Sequence, residues 1–375
     1  MKRLKQSMLI LSVLLFGQLT FPVHAAKVAV ISDEVAVGFD YPWALVQLPE
    51  PKAGWLVTER TGQLIHVADD GTKVQVPLQL PGLYVAGQSG LFDVTLAPDF
   101  ATSRWLYLSY ACGTPNANTT CLARTRLSKT TPYRTQATEK LFTARPLRKG
   151  AAHYGGRMAW LPDQTLLLTL GDGFDYREQA QNLENHFGKV VRLTMTGEAP
   201  ADNPFPDKTD GRIFSYGHRN SQGIVYDPTR KVIWQHEHGP RGGDELNRLQ
   251  AGRNYGWPIV SLGIDYTGAM VTPYEALPGV VDPEYHWTPS LAPADMALYQ
   301  GAMFPQWQGG LLITHLAGKR LQVLMPKHDT WQVAAEYRTS NEARLRAVAV
   351  ADDGAIWLLT DSDNGRLIRL SAPKD

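Results

Sequence analysis

Short apolar runs, each closed by Gly, Pro, Asn or Asp, recur along this chain almost to the exclusion of any helical period. Six resemble one another: GWLVTERTGQLIHVADDG from residue 54, RWLYLSYACG from 104, QTLLLTLGDG from 164, KVIWQHEHGP from 231, GGLLITHLAGKRLQVL from 309 and GAIWLLTDSDNGRLIRL from 354. Runs of this length and composition read as β-strands, and several continue through a turn into a second strand. Their starts lie roughly 45 to 80 residues apart, a spacing that suits one four-stranded unit per copy. The expectation is an all-β fold, a six-bladed β-propeller. A sandwich or barrel would need fewer strands. The early run KVAVISDEVAVG is placed to complete the last blade and close the ring. The spacers TGEAPADNPFPDKTD (196–210) and most of 262–295 read as loop insertions, the usual carriers of function on such a scaffold.

At 375 residues and 43% hydrophobic, the chain can bury a large core. A formal charge of +1 gives no basic surplus for nucleic acid and no acidic tract for disorder. Lys2, Arg3 and Lys5 precede an apolar stretch from Met8 to Phe16, and Val23-His24-Ala25 offers a small-residue cleavage site. This is the pattern of a secretory signal peptide over residues 1–25, too short for a lasting anchor. Its removal leaves 34 basic and 36 acidic residues, a net charge of −2. The mature chain, 26–375, is expected to be one propeller domain in the periplasm, without a membrane span. In that oxidising compartment Cys112 and Cys121, nine residues apart across what reads as a loop, are expected to pair.

Several polar constellations stand out. His153, ahead of Gly155 and Gly156, reads either as a surface histidine or as a base presented to a cleft. Arg219 and Asn220 sit together between Gly217 and Gly223, where an ordinary strand-connecting loop needs neither. His236 and His238 share a strand face, but no third ligand stands at a zinc spacing. Gly239-Pro240 is either a tight turn or a pair of carbonyls that could face a hard cation such as Ca²⁺. Arg344 and Arg346 alternate on a strand and so face one side; they repel unless an anion lies between them or water screens them. Gln88 stands in a glycine-flanked turn, and Asp172 and Asp175 read as turn-shaping residues. No dinucleotide-binding glycine motif in a βαβ context, P-loop or nucleophile elbow is present.

In order, the chain carries His153-Tyr154-Gly155-Gly156-Arg157, GKVVRL from 188 with PADNPF from 200, GHRNSQG from 217, EHGPRGGDELN from 237, NYGWP from 254, WTPSLAP from 287 and RLRAVAVADDG from 344. From about Tyr41 to the C-terminus this order resembles the soluble pyrroloquinoline quinone (PQQ)-dependent glucose/sorbosone dehydrogenases, with the bacterial aldose sugar dehydrogenases most similar. The resemblance implies a six-bladed propeller that oxidises aldoses at the anomeric carbon to the lactone, with PQQ and Ca²⁺ as cofactors. It implies His153 as general base and Arg219 as the group on the reactive quinone carbonyl. Asn220, Gln88, Arg344 and Arg346 would be cofactor contacts, and the carbonyls of Gly239 and Pro240 calcium ligands. An aldose is the implied substrate, and a separate electron acceptor must reoxidise the quinone. The chain departs from the family pattern at Ala317, where a cofactor-binding lysine is usual; either Lys319, two residues on and read as sharing its strand face, substitutes as a cofactor contact, or that contact is lost. Ala347 follows the paired arginines where Asp is common, and Asp295 in APAD falls near the expected channel mouth. The alternatives are a Ca²⁺-dependent lactonase, which needs carboxylates around its metal and has no use for Arg344 and Arg346, and a non-enzymatic propeller binding a glycan or protein.

Overall fold

A computed structural model describes residues 28–328 and 330–373. The signal-peptide segment lies outside these residues. Six antiparallel sheets of four strands each follow one another along the described chain. Their innermost strands are Pro42–Gln47, Leu91–Leu96, Gly155–Trp160, Ser221–Asp227, Pro293–Leu298 and Leu345–Val350, which head blades 1 to 6. The fold is the expected six-bladed β-propeller.

The six look-alike runs all fall on the second strand of a blade: Trp55–Glu59, Trp105–Thr114, Leu166–Leu170, Val232–Glu237, Leu311–His315 and Ile356–Thr360. Five of these six are buried along their whole length. Each second strand is packed on both faces by neighbouring blades, so its sequence is a continuous apolar run instead of an alternation. The strand Ile31–Phe39 pairs antiparallel with Gly365–Ser371, from Ile31 opposite Ser371 to Phe39 opposite Gly365. Blade 6 thus takes its outer strand from the start of the chain and its other three from the end, and the ring closes as the sequence predicts.

Cys112 and Cys121 are joined in a disulfide. The segment between them is shorter loop than expected. Trp105–Thr114 and Ala117–Arg126 form a continuous hairpin, and only Pro115 and Asn116 turn the chain. The insertion after Asp244–Leu249 also differs from a plain loop. It includes the outer strand of blade 4, Tyr285–Trp287. Its course is fixed by bridges from Asn254 to Tyr216 and Val280 and from Ile264 to Arg241, which carry it to the face that holds the candidate site.

All six innermost strands slip register near their first residues, at Pro42/Ala44, Leu91/Val94, Gly155/Met158, Ser221/Gly223, Pro293/Asp295 and Leu345/Ala347. A bulge at this place frees a backbone carbonyl from its ladder and turns it toward the axis. Arg157, itself in the blade 3 bulge, collects these groups. Its guanidinium donates to the carbonyls of Trp43 (3.3 Å), Gln222 (3.0 Å), Ala294 (3.2 Å) and Arg346 (3.4 Å). It also pairs with Asp93 (3.5 Å) and Asp295 (3.3 Å) and lies 4.0 Å above the Trp43 ring. One buried cation therefore touches every blade. Asp295, expected near the channel mouth, is instead a buried counter-charge of this hub, because the bulge turns it inward. Burial pushes the Asp295 carboxyl up to about 6, and Arg157 opposes the rise. The Asp93 carboxyl is raised for the same reason.

Arg157→Leu strands two buried carboxylates and is expected to cost about 3–5 kcal/mol of stability, read by denaturant unfolding. Both carboxyls bind their protons more tightly in the folded chain than in the unfolded one, so stability falls as pH rises through their raised range and their burial destabilises most above it. The deficit of the variant is expected to be larger at pH 8 than at pH 5. An equal deficit at both would show that Arg157 is not their counter-charge.

Candidate active site

His153 lies in a stretch of unusual backbone. Its own φ is +51°, and Gly155 and Gly156 follow at +68° and +105°. A Cβ at Gly155 would stand 2.6 Å from the Thr169 carbonyl, so the glycine lets the chain turn onto blade 3. Arg148 clamps this turn from behind by donating to the carbonyls of Gly150 (3.1 Å) and Ala152 (2.5 Å). Gln88 completes the frame: its Oε1 accepts the His153 backbone N–H at 2.9 Å.

The imidazole is buried, and its Nδ1 lies 2.7 Å from Asp172 Oδ1. Burial lowers the His153 pKa below the ordinary imidazole value; Asp172 opposes this, and Arg219 and Arg148 reinforce it. Burial alone would raise the Asp172 carboxyl, but the His153 ring, Arg219 and the Phe174 N–H bring it below the usual carboxylate range. The neutral ring then donates Nδ1–H to the carboxylate and leaves the Nε2 lone pair free to take a proton. Asp172 is no mere turn-shaper, as its sequence context had read. Its Oδ1 also accepts the Phe174 N–H (2.8 Å), and its Oδ2 accepts the Trp257 indole N–H (2.8 Å). Lys189, fully buried in the next strand, donates to the carbonyls of Gln179, Ala180 and Phe187 and holds the loop that follows Asp172.

Arg219 and Asn220 are both buried beside this group. The Asp172 N–H donates to the Arg219 carbonyl at 2.8 Å, and the Gly155 N–H to Asn220 Oδ1 at 3.2 Å. The Arg219 backbone N–H is held by Glu237, whose other oxygen binds the His218 ring (3.0 Å). The Arg219 guanidinium donates to the Gly239 carbonyl (2.9 Å) and lies 5.2 Å from the Trp257 ring and 5.8 Å from that of Tyr266. Gln88, His153, Arg219, Asn220 and Gly239 thus form one connected cluster, with Pro240 next to Gly239 in the same turn. His238 in that turn is kept neutral by burial and by the Arg219 charge, and its Nε2 lies 2.8 Å from the Pro293 carbonyl.

Arg344 and Arg346 do face one side, and the anion between them is Asp361 of the adjoining turn, 3.0 Å from Arg344 and 3.3 Å from Arg346. Arg346 also reaches Gln222 Oε1 at 3.5 Å, and Gln222 Nε2 lies 3.3 Å from Asn220 Oδ1, which ties this pair to the rest of the cluster. Lys319 departs from its expected geometry. It stands exposed at φ +50° in the turn between Leu311–His315 and Arg320–Lys327, not on a strand, so face-sharing with Ala317 does not apply. Sequence reasoning missed Asp361, Trp257 and the role of Asp172. Only the NYGWP run and the LGDG turn carried any signal for them.

The six-bladed propeller is the fold this chain shares with solved sugar dehydrogenases. The chain belongs to the Glucose / Sorbosone dehydrogenase family, which it matches over residues 39–369. It is 39% identical over 355 residues to the aldose sugar dehydrogenase YliI of Escherichia coli, with 92% of each chain covered. The apo-form crystal structure of the soluble aldose sugar dehydrogenase from Escherichia coli superposes with a TM-score of 0.86 at 36% identity, over 92% of this chain and all of that one. The PQQ-bound aldose sugar dehydrogenase of Streptomyces coelicolor superposes with a TM-score of 0.75 at 28% identity, covering 92% and 99%. The protein is therefore an oxidoreductase of the sugar dehydrogenase class. The disulfide suits an extracytoplasmic enzyme, and no helix among the described residues is long and apolar enough to cross a membrane.

Asp172→Asn removes the group that fixes the His153 tautomer and supports its charge. Turnover is expected to fall about a hundredfold. Because Asp172 raises the His153 pKa, the acid limb of the kcat/KM profile should also move to lower pH. A fall in turnover with the limb unmoved would make Asp172 a structural residue only.

Proposed function

We propose that the protein is a PQQ- and Ca²⁺-dependent aldose dehydrogenase of the periplasm, exported by residues 1–25 and acting through the propeller domain assigned to 26–375. The observation that carries the reading is the buried cluster in which His153 keeps a free Nε2 while Arg219 stands alongside it.

The donor set suits a planar, carboxylate-bearing quinone. Arg219 Nε and Arg346 Nε are both buried without a partner, a costly state that a polar ligand would relieve. Arg344, about half exposed, and Arg346 offer guanidinium forks to carboxylates. Asn220 and the side-chain amide of Gln88 line the same cluster, and Lys319 is the remaining candidate cation from blade 5. The carbonyls of Gly239 and Pro240 are hard oxygen donors suited to Ca²⁺. They are too few for its usual six to eight ligands, so further oxygen donors would have to join them. Held by these residues, PQQ would supply the hydride acceptor and Ca²⁺ a Lewis acid, chemistry that would convert the aldose to its lactone.

The protein's part is placement and proton handling. His153 Nε2 takes the proton of the anomeric hydroxyl, so the O–H pair stays to form the new C=O bond as the C–H pair departs. Asp172 stabilises the imidazolium that results. Arg219 presents a fixed positive charge where negative charge grows on the acceptor oxygen. Its backbone is held by Glu237 and its plane by Trp257, so little reorganisation accompanies the step.

The test is dye reduction by the mature protein with PQQ, Ca²⁺ and a panel of aldoses, with each addition omitted in turn. Turnover that needs both additions is expected, and its absence would sink the reading. His153→Ala should keep PQQ binding and lose about a hundredfold or more in kcat. The sparse calcium turn also predicts that PQQ and Ca²⁺ tighten one another's binding by the same factor in calorimetric titrations. Independent binding of the two would mean that the metal sits elsewhere.

A further inference from the structure

Two large aromatic residues stand exposed at the candidate site. Phe174 is 47% exposed and Tyr266 56%. They come from different blades, Phe174 from the loop after Leu166–Leu170 and Tyr266 from the blade 4 insertion. Their rings are nearly parallel, 21° apart with centroids 6.5 Å apart, within the range of an offset stack. Phe174 meets the His153 ring edge to face at 5.0 Å, and Tyr266 lies beside the Arg219 guanidinium. The pair therefore forms a short apolar wall bordering both the base and the polarising cation.

The wall is built, not incidental. Phe174 holds a φ of +70°, strained for a bulky residue, and its N–H is fixed by the same Asp172 oxygen that holds His153. Base and wall thus share one anchor. Across the gap, Arg177 of the Phe174 loop pairs with Asp265, next to Tyr266, at 3.0 Å. The Ile264 carbonyl is tied to the Arg241 N–H at 2.9 Å. Both loops are clasped so that two apolar rings meet water beside buried polar groups, a cost that an apolar ligand surface would offset.

We propose that Phe174 and Tyr266 are specificity-determining residues that orient the aldose. The C–H face of a pyranose ring would lie on the aromatic wall, with its anomeric hydroxyl toward His153 Nε2. A sugar is polar at its rim and apolar across its C–H face, so it fits a site with rings on one side and hydrogen-bonding groups on the other. This rests on the dehydrogenase reading, and it names the surface that selects the substrate.

The test uses Phe174→Ala, Tyr266→Ala and Phe174→Tyr in the PQQ- and Ca²⁺-loaded protein, with D-glucose as probe. Each alanine variant is expected to raise KM about tenfold while kcat changes little, and Phe174→Tyr to restore KM. PQQ titration should match the parent, which shows that the site is intact. If kcat falls and KM holds, the rings support His153 and do not bind sugar, and the proposal is wrong. If the sugar constants hold and the constant for the dye rises, the wall serves the electron acceptor, and the proposal is again wrong. Should the parent prove inactive with PQQ, the dehydrogenase reading fails on its own. Saturation-transfer NMR with D-glucose then decides the wall: transfer in the parent that both alanine variants lose supports it, and absent or equal transfer overturns it.

Discussion

The contact on which the molecule most depends is the one between Arg157 and the six innermost strands. A propeller brings the bulged starts of its inner strands together around one axis, where carbonyls would otherwise lack donors and two carboxylates, held by backbone N–H groups, would lack a counter-charge. Buried acceptors without donors are costly, and a guanidinium is the side chain with enough rigid N–H groups to serve several at once. Arg157 meets Trp43, Gln222, Ala294 and Arg346 through their carbonyls and Asp93 and Asp295 through their charges. The ring is thus closed twice: at its rim by the strand Ile31–Phe39 and at its axis by this hub.

The candidate site is built from the same strand starts and the turns that lead into them. His153 precedes the blade 3 inner strand, Arg219 and Asn220 precede that of blade 4, and Arg346 lies in the bulge of blade 6. Each is held by a group from another segment: His153 by Asp172 and Gln88, Arg219 by Glu237 and Gly239, Arg346 by Asp361. The blade 4 insertion joins them through the Trp257 indole on Asp172. His153 and Arg219 can stay in register here because neither depends on a flexible loop alone.

The residue order made the family legible before any coordinates and named a set of candidate site residues. His153, Arg219, Asn220, Gln88 and Gly239 do come together. Their supports were not legible. Asp172 sits in an LGDG turn that any hairpin could use, and nothing local says that its carboxylate meets a histidine 19 residues earlier and a tryptophan 85 residues later. Asp361 was hidden for a similar reason. The repulsion between Arg344 and Arg346 called for an anion or for screening by water, and it could not say that the chain supplies an anion of its own. Lys319 shows the opposite failure: strand periodicity was applied to a turn, where it has no meaning.

By itself the sequence determined the strands, their number and the closure of the ring. These follow from local composition: apolar runs where both faces are packed, and turn residues where the backbone must reverse. Only the tertiary structure decided which polar groups neutralise one another. Charge compensation in a buried site depends on distances of about 3 Å between residues far apart in the chain. Those distances are set by how six bulged strands converge, not by anything written along one of them.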